Sequence, residues 1–219
     1  MNKFYITLLS IFFSATLISS AGETDSPHKT LFGGNKFSIG GWGALDIKGG
    51  QSFNNEFGML IGGKGGVLLD HRLTIGLAGY GLVPFQKLDA PRNIYNEKPY
   101  LNFSYGGLYL EYTVLPFEVF HFSASCIIGG GGAGYAYPRY NDDINFDEDW
   151  HYSFDPIDAN PLFVIEPGIN LEINVSKYMR MNIGASYRHI SAFEEPINDL
   201  KNTDLGGLNG NITFKFGKF

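Results

Sequence analysis

Few residues in this sequence have the types and spacing that catalysis needs. His189-Ile190-Ser191 sets an imidazole two positions from a hydroxyl, and Asp204 follows further along the chain. A histidine activates a serine by taking its proton, and a carboxylate can hold that histidine in the right orientation. The bland reading of the same residues is an interfacial histidine and a serine at a loop edge. A second group lies between Arg139 and Asp158, where Asp142, Asp143, Asp147, Glu148, Asp149, Asp155 and Asp158 face one base. Clustered carboxylates can hold Ca²⁺, which makes Asp142, Asp143, Asp147, Glu148 and Asp149 candidate metal ligands. The fixed glycine and spacing of an EF-type loop are absent, and a charge run is more often a solvated face. Tyr140, Phe146, Trp150, Tyr152 and Phe154 interleave the acids and would suit an extracellular protein partner, since exposed aromatics anchor interfaces. Gly129 to Gly132, followed by Ala133-Gly134, resembles a phosphate loop only superficially. No Lys-Ser/Thr follows and no helix opens there, so close packing against a neighbouring Tyr or Trp, or a bulge, explains it better. No cofactor is expected. The single Cys126 excludes an intramolecular disulfide framework and a cysteine zinc cluster.

The elements that position these residues begin with an export signal. Lys3, the apolar run Phe4 to Ile18 and Ser19-Ser20-Ala21 have the order of a cleaved signal peptide over 1–21. Residues 22–35 then read as a short flexible periplasmic lead, and 36–219 as one folded unit. Removing 1–21 takes away only Lys3, leaving 15 basic against 22 acidic side chains. That balance disfavours nucleic acid, which needs a basic surface. With 44% hydrophobic, 16% aromatic and 17% charged residues, the chain is too aromatic for a disordered protein. It also lacks the several long apolar runs of a helical membrane bundle.

Beyond residue 35 the periodicity is two. Phe163, Ile165, Ile169, Leu171, Ile173 and Val175 share one face, with Glu166, Gly168, Asn170, Glu172 and Asn174 opposite. Met181, Ile183, Ala185 and Tyr187 repeat the pattern, and Ser176-Lys177-Tyr178 joins the two as a hairpin. The same rule predicts eight strands near 36–48, 55–69, 71–83, 101–114, 118–134, 161–175, 179–190 and 205–217. Every second connection is short, as in an up-and-down meander. A soluble barrel turns its apolar face inward, whereas a membrane barrel turns it outward. Here the polar face is rich in small residues, among them Gly40, Gly58, Gly62, Gly66, Gly184, Asn170 and Asn211, as a narrow interior requires. The expected fold is therefore all-β, an eight-stranded antiparallel up-and-down transmembrane β-barrel with a filled interior and no wide pore. Tyr100, Phe103, Tyr112, Phe117, Phe120, Tyr135, Tyr137, Tyr178 and Tyr187 are assigned to its two interfacial girdles. Cys126 is assigned to the lipid-facing side. The hairpins predict that Val175 faces Met179, Asn174 faces Arg180, Glu166 faces Arg188, and, across a Leu115-Pro116-Phe117 turn, Glu111 faces His121. Opposed charges lower the penalty of dry ions.

Glu166-Pro167-Gly168-Ile169-Asn170-Leu171, Gly184-Ala185-Ser186-Tyr187-Arg188 and the final Phe214 to Phe219 resemble the small outer-membrane β-barrel proteins of Gram-negative bacteria, of the OmpX and OmpA-transmembrane-domain type. They are similar to a group there without assigned activity. The resemblance implies a place in the cell outer membrane, among its lipids and lipopolysaccharide, and a structural or surface-interaction role exerted through exposed loops. It also implies that the barrel-assembly machinery reads a last strand ending in Phe219. The parity of Ile212, Phe214 and Phe216 sets Phe219 on the other face. His189-Ile190-Ser191 is similar to the His-x-Ser of lipid A deacylase barrels, whose catalytic residues face outward. His189 and Ser191 continue the outward set of their strand, and the outward phase of the next strand reaches back to Asp204. Ala192 stands where that family has Asn, and Asp204 where it has Glu. Two alternatives therefore stand beside the loop-based role: a lipid A-modifying hydrolase, and a soluble secreted barrel binding a small apolar ligand.

Overall fold

A chain of strands that each present one apolar and one polar face can hide the same face of all of them by closing the sheet on itself. The structure, a computed structural model, describes residues 38–53, 56–83, 100–136, 159–192 and 205–219. It consists of β1 (Ile39–Phe53), β2 (Glu56–Leu69), β3 (Leu73–Leu82), β4 (Tyr100–Val114), β5 (Phe120–Ala136), β6 (Ala159–Ser176), β7 (Met179–Ala192) and β8 (Gly207–Lys218). Each strand pairs antiparallel with the next and β8 closes on β1. Following ladder partners from Ile39 through Leu69, Leu73, Tyr112, Ala124, Ile169, Ala185 and Gly210 returns to β1 at Gly49, ten residues further on. That stagger tilts the strands by about 40° from the axis, so each residue climbs about 2.5 Å.

The short turns set the register, and two of the expected pairings are corrected here. Pro116 cannot take the positive φ of a tight primed turn. The β4–β5 connection therefore runs over 115–119, with Leu115 at φ 56° and the Glu118 amide donating to the Leu115 carbonyl at 3.1 Å. The first β4–β5 pair is Val114 with Phe122, so seven residues lie between the partners where three were expected; the partner moves by four, and Glu111 faces Ser125, while His121 faces Glu172 on β6. Between β6 and β7 a bulge at Val175 pairs Ser176, not Val175, with Met179, leaving Lys177-Tyr178 as the turn; Asn174 does face Arg180. The β6–β7 register keeps the same offset on both sides of Glu166, which stands opposite Arg188. Its carboxylate nevertheless bonds across the lumen, to β1.

The two sides of the wall are as the alternation requires. Outside, Ile169, Leu77, Leu208, Phe122 and Ile183 are exposed; inside, Asp46, Thr74, Glu172 and Arg188 are fully buried. On β6 the outward apolar run from Val175 to Ile165 spans about 25 Å of height, the height of the apolar band of an outer-membrane barrel. Tyr112, Phe117, Phe120, Tyr178 and Tyr187 are exposed as the girdle assignment requires, but Phe103 is inside. It shares the parity of Tyr105, Tyr109 and Glu111, so the pleat turns it inward. Tyr137 lies outside the described residues.

Candidate functional site

Outside the barrel, His189 and Ser191 both point outward and are exposed, while Arg188 and Ile190 between and beside them are buried. No hydrogen bond among the described residues joins His189 to Ser191. Asp204 and the acids Asp142, Asp143, Asp147, Glu148 and Asp149 lie outside the described residues. Cys126 sits half-buried on the same outer face, its thiol against the Ile127 carbonyl at 3.9 Å.

The lumen holds a larger constellation. Among the described residues nine charged side chains are buried on the inner face: Asp46, Lys48, Lys64, Glu111, Glu166, Glu172, Arg180, Arg188 and Lys215. Eight of them form two layers, and the ninth, Arg188, donates its Nε–H to the Leu205 carbonyl at 2.8 Å. Nearer the short turns, the Lys215 ammonium bridges two carboxylates, reaching Glu111 at 2.7 and 2.8 Å and also Glu172. Glu172 further accepts from Ser123 and Asn182 (3.2 Å each), stands 3.1 Å from His121 Nε2 and 3.8 Å from Arg180 Nη1. Phe219 closes this end from the inner side, with the Arg180 guanidinium 4.2 Å above its ring, in keeping with the parity of the last strand. Higher in the barrel, Glu166 accepts from Lys48 (2.6 Å), Tyr105 (2.5 Å) and Ser186 (2.6 Å). Asp46 accepts from Tyr80 and Thr213 at 2.7 Å and pairs with Lys64 at 3.2 Å. So the ion-pair partner of Glu166 comes from β1 across the lumen, and not from the facing Arg188. Aromatic faces cover the amines: Lys48 lies 3.7 Å from the Tyr80 ring centroid and Lys215 4.4 Å from that of Trp42. In a dry interior such pairing and hydrogen bonding is what makes buried charge tolerable.

What the lumen can do chemically is limited by its filling. The cavity between Lys48, Lys64, Tyr80, Tyr109 and Glu166 is about 10 Å³, room for one water. A cavity of that size admits no organic substrate, and among the described residues no nucleophile stands beside a free base there. An apolar ligand cavity, which a soluble ligand-binding barrel needs, is not formed by the described residues. Parity on single strands already puts all nine charges on the polar side. Which of them meet across the barrel is set by the closed ring.

Within the glycine run, Gly131 lies close to bulk, since a β-carbon there would meet Tyr105 Cβ at 2.6 Å, whereas Gly129 lies against the bare backbone of Gly106 and Gly107. The β4–β5 ladder runs without a bulge.

No protein-family model matches the chain, and none of the curated proteins matches it. Among solved structures, the crystal structure of Neisserial surface protein A (NspA) is similar to it, with 12% sequence identity and a TM-score of 0.47, over 84% of this chain and 97% of that one.

Proposed function

We propose that the protein is an outer-membrane barrel whose role is structural or interactional, exerted through the connections at the end opposite the short turns, and that it forms no wide pore. The observation that carries this reading is the inversion of polarity: large apolar side chains cover the outside, and a paired charge network fills the inside. An apolar exterior of this extent has no stable place in water, and the filled lumen leaves the connections as the surface free to act. The segment 139–158, with its acids and aromatics, is the strongest candidate for contact with an extracellular protein. In cells, the protein is expected to resist salt and carbonate extraction and to change gel mobility on boiling. Replacing 139–158 by a short turn should leave both properties intact and lower surface adhesion by about tenfold or more. Unchanged adhesion would remove the loop-based role; release by carbonate would remove the membrane assignment.

A second reading, a lipid A-modifying hydrolase, is favoured by one observation, the outward exposure of both His189 and Ser191. It requires Asp204 to complete the set. Folded protein incubated with lipid A should then release fatty acid, and Ser191→Ala should abolish the release, a loss of about 10³-fold or more. No acyl loss with the unmodified chain would end this reading.

A further inference from the structure

The barrel changes character along its axis. At the height of the outer apolar belt its inner face is charged. Toward the long connections the inner face of the β4–β7 wall becomes apolar: Leu101, Phe103, Ala133, Leu162, Val164 and Ile190 are all buried. The outer face changes in the opposite sense. On β4 the outward residues run Tyr112, Leu110, Leu108 and then Gly106, Ser104, Asn102. On β5 Ile128 is followed by Gly130 and Gly132, and on β7 Tyr187 by His189 and Ser191. β6 departs from this, with Pro161 and a half-buried Phe163.

The stagger of the barrel shows that these residues stand high. The ladder row through Ser104 passes back through Gly81 and Ile61 to Ile47 on β1. Rows climb ten residues per circuit, so Ser104 lies about four residues, or about 10 Å, above Ile47. A polar interior beneath an apolar exterior suits hydrocarbon surroundings, because lipid takes the place of the core. An apolar interior beneath glycine, serine and asparagine suits water, where the wall must carry a core of its own.

We infer that the β4–β7 wall leaves the hydrocarbon at the level of Gly106, Gly130 and His189, and that above this line its outer face meets polar lipid headgroups and water. The inference rests on the membrane reading above and adds where the bilayer ends. It sets His189 and Ser191 at the junction of headgroup and acyl chain. Asn102 and Ser104 hydrogen-bond with headgroups or water there, whereas in hydrocarbon their polar groups would have no partner.

A cysteine scan of β4 tests it. In a Cys126→Ser background the full chain is refolded into phosphatidylcholine nanodiscs, which leave both faces accessible. Asn102→Cys, Ser104→Cys, Leu108→Cys and Leu110→Cys are then reacted with a charged maleimide that does not enter hydrocarbon. Folding of each variant is checked by its heat-dependent gel mobility, and Ile169→Cys on β6 replaces any β4 belt variant that does not fold. Positions 102 and 104 should react about tenfold or more faster than 108 and 110, since the thiolate that reacts needs water. Slow reaction at all four positions would overturn the inference and leave the membrane assignment standing. Fast reaction at all four would overturn both.

Discussion

Replacing Lys215 with methionine should destabilise the barrel by about 3–5 kcal/mol, the range for removing one partner of a buried ion pair. Lys215 is 1% exposed and its ammonium serves Glu111 and Glu172 together. Methionine has nearly the same length and fills the space beside Trp42, so the loss isolates charge from packing. Two carboxylates would then share the lower lumen with the Arg180 guanidinium, 3.8 Å from Glu172, as the remaining cation beside them, and His121 Nε2 3.1 Å from Glu172 as a hydrogen-bond partner. Urea titration of the refolded protein in detergent micelles, followed by tryptophan fluorescence, measures the change. Adding Glu111→Gln to Lys215→Met should recover part of it, because the stranded carboxylate is removed as well; a strictly additive double mutant would show that the lysine does not act through that pair.

Gly76→Val is expected to be at least as damaging, by about 3 kcal/mol or more. Gly66 and Gly76 face each other on β2 and β3, between Trp42 on one side and Tyr109 on the other along the same ladder row. The two large rings meet above them, 6.0 Å apart and nearly perpendicular, with Trp42 Nε1 donating to Thr74 at 3.2 Å. A β-carbon at Gly76 would fall on the Gly65 carbonyl oxygen and press within 2.6 Å of Gly66 Cα. Backbone cannot yield as a flexible side chain does, so β2 and β3 would have to separate. Gly43, on the outer face with nothing within 4 Å of where a β-carbon would stand, is the control: Gly43→Ala should change stability by no more than about 0.5 kcal/mol. Equal effects at the two positions would mean that the interior glycines are not there for space.

Which side of each strand faces out is legible in the chain because pleating is local: successive side chains alternate whatever the strand later pairs with. The outward placement of His189, Ser191 and Ile169, the inward placement of Glu172 and Arg180, and the count of eight strands all follow from that period. Phe103 departs from the girdle assignment for the same reason, since parity and not aromatic character decides its face.

Contacts across the lumen have a different origin. Lys48 and Glu166 are 118 residues apart, and their meeting depends on the stagger of the closed sheet. That stagger accumulates from every turn, so four additional residues between Val114 and its partner Phe122 were enough to exchange His121 for Ser125 opposite Glu111. The amino-acid sequence by itself determined the two faces, the number of strands and the small residues that let them close. Tertiary structure alone decided the ion-pair partners and the change of core along the axis, because both are properties of the closed ring of strands and of no single one.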